Sequence, residues 1–301
     1  MPSEREVSAH ELELKGRRIH FIGIGGVSMS SIAIMAKDAG ALVSGCDICE
    51  NEGTRACREE GVEVAIGHSS QHINNCDLVV FSSAIPLNMS ELVAARNDNV
   101  TIVPRAVMLA RLLRDREGIG IAGSHGKTTT TYIVSQMFRD QGLDPAVMLG
   151  GKVNEWHSNF HMGKGAQFIS EVDESDGSLL YLDLDHTIIT NLDLDHTDFY
   201  TDMEHLKDVF RKYSQEAVQK NIVAFGDDDN LRDALEGMGS RVTWYGLGED
   251  NDYRAVAVKP LGLGRSFDLE GPDGGIGQFS CPMLGEYNLH NCVGALALGH
   301  K

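Results

Sequence analysis

The feature that most narrows what this chain can fold into is Gly123-Ser124-His125-Gly126-Lys127-Thr128, a glycine turn between the apolar stretch Ile119 to Ala122 and the run Thr129-Thr130-Thr131. A strand, a glycine turn and a helix beginning near Thr129 would bring backbone N–H groups around a phosphate. Lys127 can then reach the β and γ phosphates, and the Thr128 hydroxyl can hold Mg²⁺. The usual phosphate loop has four residues between its glycines, whereas position 121 here is Ile, so this is the shorter GxxGKT form. A surface lysine after a structural turn is the plain alternative, and the threonine run argues against it. The turn predicts ATP held by Gly123, Ser124, Gly126, Lys127, Thr128 and Thr129, with Mg²⁺.

A second turn, Gly23-Ile24-Gly25-Gly26-Val27-Ser28, follows the basic-then-apolar segment Arg17 to Ile22 and precedes the helix-forming stretch Met29 to Ala39. Glycines there let N–H groups approach a diphosphate at the positive helix end. Asp47, about 20 residues on, stands where an acid can hold a ribose hydroxyl, so a nicotinamide dinucleotide is one candidate ligand. The sixth position is Ser28 rather than glycine. Any tight strand-to-helix turn prefers glycine, but the strand before it and Asp47 after it favour a nucleotide-diphosphate site.

Further apolar runs at Ala41 to Cys46, Val62 to Ile66, Leu78 to Ser82 and Val100 to Val103 read as strands, with helix-like stretches such as Ser90 to Arg96 between them. This alternation predicts a parallel sheet. The text turns charged around Leu112 to Gly118, and a domain boundary is placed there. Beyond it, Phe168 to Val172, Thr187 to Thr190, Ile222 to Phe225 and Val242 to Tyr245 read as strands, and Asp202 to Lys220 as an amphipathic helix. Leu182 to Thr187 is echoed ten residues on by Leu192 to Thr197. Two copies make no solenoid, and they read as loops flanking the strand at Thr187 to Thr190. The expected fold is α/β: a Rossmann-like parallel-sheet domain over residues 1–117, then a P-loop-type α/β ATPase domain over 118–301.

With 44 acidic against 26 basic residues and a formal charge of -18, the surface repels nucleic acid and anionic membranes, and neither is expected as a partner. The segment Met1 to Lys15 lacks the apolar run of a signal peptide and no stretch approaches the roughly 20 apolar residues of a membrane helix, so the expected location is the cytoplasm. Six cysteines in 301 residues do not make a disulfide scaffold, and free thiols are expected. Cys46 and Cys49 form a lone CxxC pair with no second pair downstream, which favours neither zinc nor redox chemistry. Cys46, Cys76, Trp156 and His157 are read as core or surface.

Carboxylates to complete the phosphate site occur at Glu171-Val172-Asp173-Glu174-Ser175-Asp176 and from Asn191 to Asp195-His196, both after strands. C-terminal strand ends of a parallel sheet converge on one edge, where the phosphate loop also lies. A solvated acidic loop is the plain alternative, and two such clusters beside one phosphate loop favour metal ligation.

Taken in order, the Gly23 turn, Ser82-Ser83-Ala84-Ile85, Pro104-Arg105-Ala106, the run from Gly123 to Thr131, Glu171 to Asp176 and Thr190 to His196 resemble the Mur ligases of peptidoglycan synthesis. Asp173-Glu174-Ser175-Asp176 is most similar to the branch joining L-alanine to UDP-N-acetylmuramate. The resemblance implies a UDP-sugar domain, an ATP domain and a third domain that helps bind the amino acid. It assigns the UDP-sugar to Gly23, Gly25, Gly26, Val27, Ser28, Asp47, Ser82 and Ser83. It assigns Lys127 to the ATP phosphates, Thr128, Glu171 and His196 to Mg²⁺, and Asn191, Asn288 and Asn291 to nucleotide. His196 is an atypical ligand for so hard a cation. For the base that deprotonates the alanine amine, His125 and His196 both stand open.

Four positions depart from the family pattern: Ser124 for Thr, Ser28 and Ser31 for glycine, and Tyr287 for a His that contacts adenine. The chain stops at Lys301, inside the helix expected after Asn291, so the third domain is expected to be missing. That leaves two expectations: a shortened ligase with impaired turnover, or a non-catalytic fragment that binds nucleotide and UDP-sugar. A nicotinamide-dependent oxidoreductase would leave Lys127, Thr128 and the Glu171 cluster without a role.

Overall fold

The computed structural model describes residues 12–82, 84–114, 116–153, 156, 158–174, 178–195 and 199–301. The chain divides into two compact units, Met1–Asp115 with Gly150–Phe160 and Arg116–Leu149 with His161–Lys301.

In the first unit, strands and helices alternate as β1 (Arg18–Ile22), α1 (Val27–Asp38), β2 (Leu42–Asp47), α2 (Glu52–Glu59), β3 (Glu63–Ile66), β4 (Leu78–Phe81), α3 (Ser90–Asn97), β5 (Thr101–Pro104) and α4 (Arg105–Leu113). The sheet is parallel, in the order β3-β2-β1-β4-β5. Consecutive residues Phe21 and Ile22, and Val79 and Val80, are fully buried. Such strands, covered on both faces, read as continuous apolar runs. Because β1 is followed in space by β2 on one side and β4 on the other, the turns after β1 and β4 flank the crevice where strand order reverses. That is where an open α/β sheet binds ligands.

The second unit begins with β6 (Glu117–Ala122) and α5 (Lys127–Asp140); β7 (Ala146–Val153) and β8 (Ser158–His161), whose Gly150–Phe160 portion groups with the first unit, come next, followed by β9 (Gln167–Glu171), β10 (Leu184–Ile189) and α6 (Met203–Glu216). Then come β11 (Val218–Phe225), α7 (Asp229–Ala234), β12 (Val242–Gly246), β13 (Tyr253–Leu261), β14 (Gly264–Gly271), β15 (Gly274–Cys281) and α8 (Glu286–His300). These strands make a ten-stranded sheet in the order β15-β14-β13-β12-β11-β10-β6-β9-β7-β8. β6 lies between β9 and β10, with Ile121 opposite Glu171 and Ala122 opposite Ile189, so the three strands end level with one another.

The sheet is mixed rather than wholly parallel, because β13 to β15 pair antiparallel. The amphipathic helix stops at Glu216, short of Lys220. Leu206, Phe210 and Tyr213 form its buried stripe, but no Gly or Pro marks its end, and Val218–Lys220 already belong to β11. Of the two echoed segments, the first is mainly strand β10, and the described part of the second, Leu192 to Asp195, follows a strand as loop. Among the described residues no helix is long and apolar enough to cross a membrane, and the six cysteines are free thiols.

β6 reads Glu-Gly-Ile-Gly-Ile-Ala because its neighbours press on it. A Cβ on Gly120 would lie 2.5 Å from Leu184 Cδ1 and 2.8 Å from Val172 Cγ2. Gly120→Ala is therefore expected to destabilise the second unit by about 1–3 kcal/mol. A lowered urea midpoint for that unit's transition, at unchanged slope, is the readout; an unshifted midpoint would refute the crowding.

Candidate active site

In the second unit, Gly123 (φ +119°) and Gly126 (φ +85°) let the chain turn sharply from β6 into α5. A side chain at Gly123 would strike Thr190 Oγ1 at 2.3 Å, and one at Gly126 would meet Asn291 Oδ1 at 2.8 Å. The helix starts at Lys127, two residues before the sequence suggests, with Gly126 as an N-cap that offers no side-chain acceptor. The N–H groups of Lys127, Thr128 and Thr129 have no carbonyl four residues back within the helix, and the first turn carries no acid. Unsatisfied donors at the positive end of a helix suit an anion.

The segment after β10 fixes the shape of this turn. Asn191 grips His125 twice: its Oδ1 accepts the His125 N–H at 2.9 Å, and its Nδ2 donates to the His125 carbonyl at 3.0 Å. The Ser124 N–H donates to the Asn191 carbonyl at 3.2 Å, and Ser124 Oγ bridges the backbone carbonyl and N–H of Asp193 at 2.7 and 2.9 Å. Thr190 Oγ1 donates to the His125 carbonyl at 2.6 Å. Of the turn's donors, those of Ser124 and His125 are thus engaged with the protein. Thr190 was not singled out as a site residue from the sequence, although it opens the motif Thr190 to His196; in the structure it immediately follows β10.

Lys127 Nζ folds back over the turn, 2.6 Å from the Gly123 carbonyl, 3.2 Å from that of Ser124 and 2.7 Å from Glu174 Oε1. Glu174 is 2% exposed, and burial pushes its carboxyl above the usual range while the Lys127 ammonium pulls it back. Thr128 is exposed and Thr129 half-buried. Glu171, half-buried, ends β9 opposite Ile121 of β6, two residues before the turn begins at Gly123. His125 is exposed, with Nε2 3.5 Å from Asp193 Oδ2. On α8, buried Asn291 abuts Gly126, and its Nδ2 donates to Asn288 Oδ1 at 3.4 Å. Tyr287 is 79% exposed, open for stacking. His196, Ser83, Ser175 and Asp176 lie outside the described residues.

The turn of the first unit is built in the same manner. Gly23 (φ +76°) and Ile24 donate their N–H groups to the Cys46 carbonyl at 2.8 and 3.0 Å, and Asp47 Oδ2 accepts the Gly25 N–H at 2.8 Å. A Cβ on Gly25 would lie 2.4 Å from Asn51 Nδ2. Gly26 caps α1 with no side-chain bond, and the first turn of α1 has no acid. Gly26 and Val27 are exposed and Ser28 half-buried. Ser82 sits beside Gly23, across the strand-order reversal. Asp47, 9% exposed, thus holds the loop backbone. Ser31 is absorbed by the packing: Oγ donates to the Val27 carbonyl at 3.3 Å and accepts from Asn159 Nδ2 at 2.9 Å.

Fold and turns together define a protein with two α/β units, each carrying an anion-ready helix start at the edge of its sheet. Residues 121–299 match the family model described as Mur ligase middle domain, and residues 18–117 match that of the Mur ligase family catalytic domain. The chain belongs to the Mur ligase family. It is 38% identical over 285 residues to a UDP-N-acetylmuramate--L-alanine ligase of Geobacter sp. (strain M21), covering 94% of this chain and 62% of that protein. A protein of the same name from Aromatoleum aromaticum is 39% identical over 288 residues, covering 94% and 61%. The chain therefore spans a little over three-fifths of the length of these curated relatives. Among solved structures, UDP-N-acetylmuramate-alanine ligase MurC from Thermotoga maritima superposes with a TM-score of 0.80 at 26% identity, covering 94% of this chain and 64% of that one.

If Asn191 sets the loop, Asn191→Ala should weaken binding of a non-hydrolysable ATP analogue about ten- to thirtyfold, the worth of two net hydrogen bonds. Titration calorimetry reads this. Unchanged affinity in a folded variant would mean that the loop holds its shape without the clamp.

Proposed function

We propose that this chain provides the UDP-sugar-binding and ATP-binding units of an ATP-dependent ligase that joins L-alanine to the carboxylate of UDP-N-acetylmuramate, a step in making peptidoglycan precursors. The observation that carries the reading is the GxxGKT turn, held beside the acid-bearing end of β9 and the Asn191–Asp193 segment. Identity to proteins named for this reaction supports it.

A carboxylate resists attack by an amine because its carbonyl carbon is electron-rich and oxide does not leave. In the proposed reaction a carboxylate oxygen attacks the γ phosphorus of ATP, ADP departs, and an acyl phosphate results. The alanine amine then attacks the acyl carbon, phosphate leaves with the former carboxylate oxygen, and the amine gives up a proton. Phosphoryl transfer is helped chiefly by positioning and by positive charge around the moving group. Lys127 would supply such charge by exchanging its contacts with the loop carbonyls and Glu174 for phosphate oxygens. The N–H groups of the first turn of α5 would hold the phosphates, with Gly123, Ser124 and Gly126 shaping the cradle.

The exposed Thr128 hydroxyl and the Glu171 carboxylate offer the oxygen donors Mg²⁺ prefers, and His196 is kept as a third candidate. Mg²⁺ when bound would offset negative charge on the phosphates. Asn288, Asn291 and Tyr287 on α8 would border the nucleoside. His125 and His196 are both kept as candidate bases for the alanine amine, and Nε2 of His125 lies 3.5 Å from Asp193 Oδ2. The first-unit turn at Gly23, Gly25, Gly26, Val27 and Ser28, with Ser82 beside it and Asp47 beneath it, would take the UDP diphosphate, and Ser83 is kept as a further candidate. We assign the protein to the cytoplasm, where ATP is available.

The test is titration of the purified chain with UDP-N-acetylmuramate and, separately, with an ATP analogue plus Mg²⁺, followed by an ADP-release assay with L-alanine. Both ligands are expected to bind, and Lys127→Ala should cut affinity for the analogue at least a hundredfold while leaving the UDP-sugar titration unchanged. Binding of both without ADP release would favour a nucleotide-binding fragment. Binding of neither would overturn the proposal.

A further inference from the structure

The CxxC pair has no metal geometry: Cys49 is exposed and Cys46 is buried. Cys46 instead faces a different set of donors, gathered on one side of the first sheet under α3 and the 3₁₀ turn Ser70–Ile73. Its Sγ lies 3.3 Å from His20 Nε2 on β1, 3.4 Å from His68 Nδ1 beyond β3, and 3.6 Å from Glu91 Oε1 on α3. His68 Nδ1 and Glu91 Oε1 are 3.0 Å apart, and His72 Nδ1 is 3.5 Å from the same carboxylate oxygen. The rings of His20 and His72 have centroids 5.7 Å apart.

The two spacings from Cys46 Sγ to His68 and Glu91 are those of a coordination shell, and the 3.0 Å between His68 and Glu91 is shorter by a few tenths of an ångström. Tetrahedral Zn²⁺ with bonds of roughly 2.0–2.3 Å keeps its ligand atoms about 3.3–3.8 Å apart. The sulfur, nitrogen and oxygen of Cys46, His68 and Glu91 form a triangle with edges of 3.4, 3.6 and 3.0 Å. Glu91 has outer partners, as metal ligands do, and so does the neighbouring His20. His20 Nδ1 bonds Ser44 Oγ at 2.9 Å, which turns Nε2 towards the sulfur. Ser90 Oγ donates to Glu91 Oε2 at 2.7 Å, and the Ser69 N–H to Oε1 at 2.8 Å. Glu91 is fully buried, and His68 Nε2 is a buried ring nitrogen with no hydrogen-bond partner.

We propose that the first unit holds a divalent transition-metal ion, Zn²⁺ by its ligand chemistry, between Cys46 Sγ, His68 Nδ1 and Glu91 Oε1, with solvent as the fourth ligand. A thiol and an imidazole beside one carboxylate select a borderline-soft ion over Mg²⁺ or Ca²⁺. On binding, the Cys46 S–H bond breaks, a sulfur–metal bond forms, and the proton passes to solvent. Thiolate, carboxylate and Zn²⁺ then sum to zero charge, which a buried site among Ile22, Ile73, Val79 and Leu92 can accommodate. Without the ion, burial and the neighbouring Glu91 push the thiol pKa well up, and burial brings His20 down to about 4. For Glu91, hydrogen bonds from Ser90, Ser69 and His68 outweigh the upward effect of burial and hold its carboxyl at about 2. Because the Cys46 carbonyl receives the Gly23 and Ile24 N–H groups, the ion would also brace the diphosphate turn.

Co²⁺ titration of the chelator-treated chain, with saturating Mg²⁺ present, provides the test. The expected result is one equivalent of Co²⁺ giving intense tetrahedral visible bands and a sulfur-to-cobalt charge-transfer band, both erased by Zn²⁺. Cys46→Ser should remove the charge-transfer band, and His68→Asn should weaken Co²⁺ binding at least a hundredfold. Ser90→Ala, which touches only the outer carboxylate oxygen, should weaken it about tenfold. Circular dichroism confirms that each variant is folded. A weak octahedral spectrum in the unmodified chain, or a charge-transfer band that survives in Cys46→Ser, would overturn the proposal and leave a hydrogen-bonded core network.

Discussion

Both candidate sites depend on one arrangement: a side chain just beyond the next strand, or at its end, accepts a hydrogen bond from the backbone of a glycine turn. Asp47 does this for Gly25 and Asn191 for His125, each at about the ordinary hydrogen-bond length. The glycines supply the φ angles and the room, but a chain with that freedom has many conformations to lose. The clamps narrow that freedom before any ligand arrives, so less ordering cost falls on binding. They also consume donors at the turn itself, which leaves the first helical turn beyond it as the anion-facing surface.

Lys127 shows how charge is stored in the site. Its ammonium sits against a nearly buried carboxylate and two loop carbonyls, so neither charge is left alone in a poorly solvated place. Removing either member alone would leave the other costly to keep ionised. A phosphate that attracts Lys127 must therefore outcompete Glu174, and an acid net charge of -18 adds general repulsion. Selectivity for a ligand that brings its own cation follows from that balance.

The parts legible in the sequence were those with local causes. Apolar runs marked the buried parallel strands, and glycine spacing marked both turns, because strand period and backbone freedom are properties of neighbouring residues. The β13–β15 hairpins were not legible. Apart from the short run Ala255 to Val258 in β13, their apolar residues are interleaved with glycine, polar and charged residues, so little apolar continuity announces them. The clamp by Thr190 and the abutment of Asn291 on Gly126 depend on contacts between distant segments, which no spacing encodes. The donors around Cys46 were hidden for the same reason: His20, the His68–His72 segment and Glu91 come from three different parts of the chain. The visible CxxC motif pointed instead to Cys49, which faces solvent.

The contact between Asn291 and Gly126 bears on how the molecule is made. Strand β6 and its turn are synthesised early in the second unit, but the side chain that packs against the turn belongs to α8, among the last residues described. Contacts of such long range form late and slow folding, because the intervening loop must be closed first. On a ribosome that adds residues from the N-terminus, the first unit can fold while the phosphate turn still lacks its last wall. Competence to hold nucleotide would then appear near the end of translation of this region, after the diphosphate turn has already taken shape.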